Sequence, residues 1–226
     1  MANALLAKEK VDAVVLHTPL LDPETGAELP AKAQQVVDAA RLLFTEHGFG
    51  AVSMDQVAKS AGVSKATVYA HFQSKEQLFV AIVSNACRSY AEAVMPEVRD
   101  AADIRTALTR IAHAIAVFLT APRTMAIYRI IVAEGPRFPD LARGWYENGP
   151  RSFKRLLTGF LTEAVAKGQL KIEHPRLAAE LFCAMVRGPL YMPVLLNYED
   201  PDVPNADAVI AGAVEMFLAN HAIEKA

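Results

Sequence analysis

The residues with the clearest chemical potential lie between positions 53 and 77. Ser53 precedes Gln56 by three positions, which is the spacing of a capping box: the serine side chain accepts a hydrogen bond from the Gln56 amide, and the glutamine side chain reaches back. Gly62 supplies the left-handed residue that ends a helix, and Ser64 supplies the cap of the next helix. Two short helices joined by a turn that contains glycine predict a helix-turn-helix.

The second helix of this pair, residues 65–71, is predicted to have one packed face and one open face. Val68 and Phe72 share the side that packs inward. The opposite side and its flanks carry small and polar residues, namely Lys65, Ala66, Thr67, Tyr69, Ala70 and His71. The two alanines keep the helix slim enough to enter a DNA major groove, which is about 12 Å wide. The threonine can offer a hydroxyl or a methyl group to a base edge, and the tyrosine can hydrogen-bond a phosphate.

Lys75 stands where helix electrostatics disfavours a cation. Ser74 and Gln77 have the spacing of a second capping box, so Lys75 falls in the first turn of the next helix. The helix dipole opposes a positive charge there by up to about 1 kcal/mol. A bound anion would reverse that sign, because the lysine and the free amides would converge on it. We therefore predict that Lys75 contacts a DNA phosphate.

Charge alone does not establish DNA binding for this region. Residues 30–76 contain five basic and four acidic side chains, which is a weak electrostatic footprint for a nucleic-acid-binding domain. A helix-turn-helix also occurs in proteins that bind no DNA. Spacing and chemistry favour DNA as the partner but leave this alternative open.

The elements that must position these residues are predicted to be helical throughout. The chain has 226 residues, of which 53% are hydrophobic and 21% charged, so it can bury a core. Apolar residues from Ala33 to Phe44 recur at helical spacing until Gly48. Glycine or proline separates nearly all of the later helical patterns, and no strand-like alternation or internal repeat is found. These later patterns cover residues 75–95, 103–119, 123–133, 140–167 (with Gly149-Pro150 as a potential break), 176–187 and 205–221.

The predicted fold class is all-α, with three parts. Residues 1–29 form an arm that is flexible or loosely docked, in which residues 11–16 have the composition of a short strand. Residues 30–76 form a three-helix DNA-binding head with the helix-turn-helix, and residues 77–226 form a helical-bundle body.

Several function classes are excluded by the sequence. No apolar run approaches the roughly 18 residues that span a bilayer, and the first residues do not form a signal peptide, so we predict a cytoplasmic protein with no membrane partner. Cys87 and Cys183 lie in apolar helical patterns, which fits packing in a reducing compartment better than a disulfide or redox sensor. The glycines of residues 48–53 follow a helix instead of a strand and lack the last glycine of a dinucleotide loop. The six histidines are isolated, so we predict no metal, no cofactor and no enzymatic activity.

The stretch from Gly62 to Phe72, with Ser74-Lys75-Glu76 and Leu78, resembles the TetR/AcrR family of bacterial transcriptional regulators. The resemblance covers about 50 consecutive residues, and residues 133–139 resemble an AcrR-like branch of the body. Ala66 replaces a frequent glycine and Ala70 a larger residue, which leaves the operator sequence open. The resemblance implies base contacts from Lys65, Ala66 and Thr67, and phosphate contacts from Tyr69, His71 and Lys75, supported by the helix-start residues Ser53 and Ser64.

The same resemblance implies that the body binds a small, mostly hydrophobic effector and forms a homodimer through the last two long helices. Candidate effector-binding residues are the large aromatic and sulfur-bearing side chains Phe118, Met125, Tyr128, Trp145, Tyr146, Phe153, Phe182 and Met185. Each of them can equally be an ordinary core residue. Two apolar stripes are candidates for the dimer interface or for burial within one chain: Leu177, Leu181, Ala184 and Met185, and Val209, Ile210, Ala213, Val214 and Phe217.

The leading hypothesis is a repressor that binds a palindromic double-stranded DNA operator and is released by an effector, which shifts the helix that bears Lys75. The alternative is a constitutive regulator or activator whose body only dimerises. A helical enzyme is a remote third hypothesis.

Overall fold

A computed structural model of the chain describes residues 27–198 and 205–223, so most of the predicted arm lies outside the described residues. The described residues form ten α-helices and one isolated bridge between Leu170 and Ala222. The predicted all-α fold class is therefore confirmed. The helices are α1 Ala31–His47, α2 Met54–Ser60, α3 Lys65–His71, α4 Lys75–Arg99, α5 Ile104–Thr120, α6 Pro122–Glu134, α7 Pro139–Asn148, α8 Pro150–Ala166, α9 Pro175–Leu196 and α10 Ala206–His221.

Short polar side chains set several helix starts. In each case a side-chain oxygen accepts a hydrogen bond from the backbone amide three residues later, which satisfies one of the free donors at a helix N-terminus. The N-cap residues of this kind are Ser53, Ser64, Asp103 and Asn205. At Gly62 the backbone has φ of +66°, which suits glycine because it has no Cβ.

Two predicted helix ends are wrong, both at prolines. Pro96 lies inside α4, which continues to Arg99. The helix tolerates this proline because it lies close to the helix end and removes only one backbone hydrogen bond. The Pro96 carbonyl still accepts from the Asp100 amide at 3.0 Å. α9 passes Gly188-Pro189 with a kink at Gly188 instead of ending there. The potential break at Gly149-Pro150 is real and separates α7 from α8.

The described residues divide into two compact units. The head unit contains residues 27–89 and 126–151, and the body unit contains residues 90–125, 152–198 and 205–223. This division differs from the predicted boundary after residue 76, because the first part of α4 and nearly all of α6 and α7 fall in the head unit.

Each unit has its own apolar core. In the head unit, the rings of Phe44, Phe49 and Phe79 lie 5.2–6.0 Å apart and are fully buried. Leu29, close to the end of the predicted arm, is buried in the same cluster. In the body unit α5, α9 and α10 pack against one another, with Phe182 edge-on to Phe217 at 5.0 Å.

Glu180 and Arg187 interrupt α9, so it contains no uninterrupted apolar run of about 18 residues, but a test of length and mean composition for a spanning helix is less strict. Within the described residues, α9 passes that test by length and composition, and the bent pair α5 and α6 passes it if counted as one span. The inward side chains of α9, including Ala179, Phe182 and Val186, are buried in the core of the body unit. A core helix of this kind is as apolar as a spanning helix.

Candidate nucleic-acid interface

α2 and α3 form the predicted helix-turn-helix. Ser53 Oγ accepts from the Gln56 amide at 3.2 Å, and Gln56 Oε1 accepts from the Ser53 amide at 2.8 Å, so the capping box is complete. Ser64 Oγ accepts from the Thr67 amide at 3.0 Å at the start of α3. The motif is therefore positioned by hydrogen bonds between residues at most three positions apart.

α3 has the two faces that the sequence predicts. Val68 and Phe72 are buried in the core cluster that also contains Val57. Ala66 and Ala70 are exposed on the other side, and Tyr69 is 44% exposed. The expectation that this small-residue face is open to solvent is confirmed. We call it the α3 open face, formed by Lys65, Ala66, Thr67, Tyr69, Ala70 and His71.

Polar groups of the α3 open face have partners within the head. Lys65 Nζ lies 2.8 Å from Asp55 Oδ1, and this hydrogen-bonded ion pair raises the pKa of Lys65. Thr67 Oγ1 lies 2.8 Å from Ser64 Oγ and is half-buried. Both contacts lie at the surface, where water competes for the hydrogen bond and salt screens the ion pair, so each contributes little. DNA can therefore compete for the ammonium group at low cost.

Lys75, which is predicted to contact a DNA phosphate, has partners within the head unit. Its ammonium group turns back onto the loop between α1 and α2, where it donates to Phe49 O at 2.6 Å and Val52 O at 2.8 Å, with Gly50 O at 3.5 Å. The partial negative charges of these carbonyl oxygens offset the unfavourable interaction between the ammonium group and the helix dipole. Burial lowers the pKa of Lys75, and the nearby Glu76 and Glu134 carboxylates oppose that shift.

The second capping box is only half formed. Ser74 Oγ accepts from the Gln77 amide at 3.2 Å, as predicted. The Gln77 side chain, however, accepts from the Gln73 amide at 2.9 Å, because the chain turns tightly between α3 and α4 and brings that amide within reach.

The eight predicted effector-binding residues are divided between the two units. Tyr128, Trp145 and Tyr146 belong to the head unit, where Tyr128 and Trp145 have ring centroids 5.2 Å apart. The other five belong to the body unit. Of these, Met125 and Phe182 are almost fully buried core residues. The size and chemistry of these eight side chains identified them as apolar, but could not show which of them belong to the core and which line a pocket.

An apolar groove lies in the body unit, and of the predicted set only Phe153 lines it. It encloses about 420 Å³ out to its mouth, but the space that admits the centre of a water molecule is only about 30 Å³. Its walls come from α4, α5 and α8, through Tyr90, Ala91, Val94, Met95, Ile111, Ala114, Phe153, Leu156, Leu157 and Phe160. We call this the α4-α5-α8 groove.

Tyr90 is the polar group of this groove that sequence reasoning missed. Its hydroxyl donates to Ala114 O at 2.7 Å, and its ring stacks on Phe118 with centroids 4.8 Å apart. Burial, and secondarily the Glu97 carboxylate, raise the pKa of Tyr90. The sequence signal that could have identified Tyr90 is a tyrosine in the middle of an apolar helical stripe, because a buried hydroxyl needs a hydrogen-bond partner.

The two apolar stripes that are candidates for the dimer interface differ in how far they are exposed in the body unit. Leu177 and Leu181 of α9 are 54% and 55% exposed and Ala184 is exposed as well, whereas Met185 packs partly against the core of the body unit. The α10 stripe faces inward, with Ile210, Val214 and Phe217 buried against the body unit. Of the two alternatives for this stripe, the structure supports burial within one chain, and Met216, which is 62% exposed, lies on the exposed face of α10.

Metal binding finds no support in the described residues. No group of three or more histidine, cysteine, aspartate or glutamate side chains in residues 27–198 and 205–223 is arranged to hold an ion.

The helical fold and the open recognition helix define a helix-turn-helix DNA-binding protein with a separate helical body. Residues 36–82 match the family of bacterial regulatory proteins of the tetR type, and residues 106–223 match the C-terminal domain of AefR-like transcriptional repressors. The chain therefore belongs to the TetR family of transcriptional regulators, which are DNA-binding proteins and not enzymes.

Individual relatives agree with this assignment. The chain is 38% identical to the flavonoid-responsive regulator FrrA over 86% of this chain and 98% of FrrA, with a TM-score of 0.74. A putative TetR-family regulator from Mesorhizobium loti MAFF303099 is 26% identical over 85% of this chain and 97% of its own, with a TM-score of 0.71. The regulator BetI of Rhizobium meliloti (strain 1021) is 32% identical over 124 residues, which span 54% of this chain but only 60% of BetI.

Proposed function

We propose that this protein is a cytoplasmic repressor that binds a palindromic DNA operator as a homodimer and is released by a small, mostly hydrophobic effector. The observation that carries the proposal is the α3 open face. Its two alanines are bare to solvent, and its polar groups are held by contacts that DNA can replace. A slim helix with this composition fits a major groove. The match to AefR-like transcriptional repressors favours repression over activation.

Dimerisation follows from what one recognition helix can read. A single helix contacts too few base pairs for useful specificity, so two-fold symmetric proteins read two half-sites about one helical turn apart. Exposed Leu177, Leu181 and Met216 supply an apolar surface of the body unit that remains to be covered.

The α4-α5-α8 groove is the proposed effector site. Its lining is apolar apart from the Tyr90 hydroxyl, and rings line or adjoin it, which suits an uncharged ligand with a planar ring. FrrA, 38% identical to this chain, is named as flavonoid-responsive. We therefore propose a flavonoid-like aromatic effector, whose entry requires the groove to widen from its present narrow state.

Band-shift titration with the native promoter DNA tests the operator part of this function. We expect a retarded band at low salt whose affinity falls steeply as salt rises, because phosphate contacts release counterions. A protein that retards no promoter fragment at low salt would not be a DNA-binding regulator.

A thermal-shift series with flavonoids tests the effector part. A ligand that binds the folded state raises the melting temperature by mass action. Ala91→Phe is expected to fill the groove and abolish the shift, whereas Ala93→Phe, on the exposed side of the same helix, is expected to preserve it. If no compound shifts the wild-type protein, the alternative of a body that only dimerises is favoured.

A further inference from the structure

Asp55 places a negative charge against the α3 open face. Its two carboxylate oxygens lie 2.8 and 3.0 Å from Lys65 Nζ, and the same ammonium group lies 6.0 Å from the ring centroid of Tyr69. Lys65 and Tyr69 belong to the α3 open face, whereas Asp55 lies in the first turn of α2. The carboxylate therefore lies within about one Debye length of the Tyr69 ring, since that length is about 10 Å at 0.1 M salt.

Helix electrostatics explains why the two charges of this pair lie where they do. Asp55 follows the N-cap Ser53 by two positions, where the positive end of the α2 dipole favours an acid. Lys65 is the first residue of α3, where the dipole disfavours a cation, and the nearby carboxylate offsets that effect. The Asp55 side chain is 64% exposed and that of Lys65 is 61% exposed. A DNA duplex that contacts the α3 open face therefore also meets this carboxylate.

The carboxylate affects DNA binding more than the ion pair itself does. An exposed ion pair contributes little, so Lys65 can leave Asp55 readily. The Asp55 carboxylate then faces phosphates without its cation, and like charges at short range repel. Binding to DNA that lacks an operator depends on phosphate contacts, which do not offset this repulsion. At an operator, hydrogen bonds from Lys65 to a base edge offset part of it.

We propose that Asp55 is a specificity-determining residue: it pairs with Lys65, and it weakens binding to DNA without an operator more than it weakens binding to the operator. The effect on DNA rests on the proposed function, in which the α3 open face enters the major groove. Lys65 keeps the base contact that the resemblance implies, and Asp55 sets how much of that contact is needed for tight binding.

Titration of lysine side chains by NMR in the full-length, DNA-free protein tests the pairing. In Asp55→Asn, which keeps the size of the side chain, we expect the pKa of Lys65 to fall below its wild-type value, because the hydrogen-bonded carboxylate that raises it is lost. Glu46→Gln removes the same charge from an exposed site near the end of α1, where the carboxylate lies 3.7 Å from His47, and should leave the Lys65 pKa unaltered. An unaltered Lys65 pKa in Asp55→Asn would show that the pair does not form, whether or not the protein binds DNA.

Binding to the operator and to a scrambled fragment of the same length and composition tests the specificity. At 0.1 M salt, we expect Asp55→Asn to bind the scrambled fragment about tenfold more tightly than wild type does, and the operator about threefold more tightly. The ratio of the two affinities therefore falls about threefold. Fluorescence anisotropy measures both affinities, and Glu46→Gln is expected to leave their ratio unchanged.

The salt dependence of binding to the scrambled fragment tests the role of Lys65. We expect the slope of log K against log salt to become steeper by about 0.9 in Asp55→Asn, because the released ammonium group neutralises one further phosphate. In a Lys65→Met background the same substitution should leave the slope unchanged, since no ammonium group is released. A slope that steepens equally in both backgrounds would contradict the proposed pairing.

The affinity ratio separates this proposal from the proposed function. If wild type binds the operator but Asp55→Asn has an equal or higher ratio, the proposal for Asp55 alone is overturned. Weaker operator binding by Asp55→Asn would also overturn it, because Asp55 would then contact the operator directly. If wild type binds neither fragment at low salt, the proposed function fails, and the specificity role of Asp55 fails with it.

Discussion

Two side chains of the α3 open face are paired with neighbouring residues of the head unit before any DNA binds. Lys65 is paired with Asp55, and the Thr67 hydroxyl is paired with Ser64. The Tyr69 hydroxyl sits on a ring that is 44% exposed. These residues therefore differ in what DNA must replace, and they are expected to contribute differently to affinity and to sequence preference.

Tyr69→Phe and Thr67→Ala are expected to have distinguishable effects on DNA binding. Removing the tyrosine hydroxyl should weaken binding to all sequences about 2- to 10-fold, since one hydrogen bond to a phosphate is lost. Thr67→Ala should alter which operator sequences are preferred, because we propose that its side chain faces base edges, while the Ser64 cap still accepts from the backbone amide at position 67. Selection from a randomised operator pool measures both. An unchanged preference in Thr67→Ala would contradict the groove role of this residue.

The two cysteines are expected to be inert thiols at neutral pH. Burial raises the pKa of Cys87 to about 12 and that of Cys183 to about 11, against an ordinary value of 9.0. Because the folded state disfavours the thiolate, these groups contribute stability that is present below pH 9 and is lost as pH rises through 11 to 12. Iodoacetamide at pH 8 should label the native protein much more slowly than the urea-unfolded protein.

The alkaline part of this prediction has its own control. Urea denaturation between pH 8 and pH 11 should show a smaller loss of stability in Cys87→Ala than in wild type. Rapid labelling of the native thiols at pH 8 would contradict the prediction.

At the scale of single residues, hydrogen bonds between neighbours in the sequence were predictable, and hydrogen bonds between residues far apart in the sequence were not. The Ser53 and Ser64 caps were predicted because donor and acceptor lie three positions apart. The partners of Lys75 lie 23 to 26 residues upstream, beyond what spacing can indicate. In the structure the Lys75 ammonium group donates to carbonyls of the loop between α1 and α2, and its contact with a DNA phosphate stays a prediction.

At the scale of helices, close packing within the head unit depends on the absence of a side chain at Gly144. A Cβ atom there would lie 2.3 Å from Val80 Cγ2, so α7 and α4 approach closely at this point. We expect Gly144→Ala to lower the free energy of unfolding by about 1–3 kcal/mol, the usual cost of overpacking.

Gly159→Ala is the matched control for that substitution. Gly159 lies inside α8 with open space where a Cβ would be placed. Alanine should therefore stabilise the protein by about 0.5–1 kcal/mol, because glycine is a poor helix former. Urea denaturation of both variants measures the two values. If the Gly144→Ala variant were as stable as the Gly159→Ala variant, the prediction would be wrong, because α4 and α7 could then move apart without loss of folding free energy.

Helix periodicity identified apolar stripes but not what covers them. Ile210 and Phe217 were assigned to a stripe that could face a partner, and the structure buries both in the body unit. An apolar side chain gains the same free energy from burial against its own chain as against a second chain. The sequence therefore predicted α10 itself but not its orientation.

At the scale of the whole molecule, the proposed homodimer needs an apolar surface that the chain leaves uncovered. Leu177 and Leu181 lie four positions apart on α9, and each is more than half exposed. Covering a leucine side chain contributes roughly 1.5–3 kcal/mol, so a few such contacts in two-fold symmetric pairs stabilise a dimer substantially.

Leu181→Glu is therefore expected to yield a monomer at micromolar concentration, since two-fold symmetry would place two new carboxylates in one apolar interface. Sedimentation velocity measures the change in oligomeric state. Leu42→Glu makes the same substitution at a comparably exposed leucine in α1, 57% exposed, and should leave the oligomeric state unaltered. Because each protomer reads one half-site, the Leu181→Glu monomer should also lose at least about tenfold in operator affinity. A Leu181→Glu protein that sediments as a dimer would place the interface on another face of the chain.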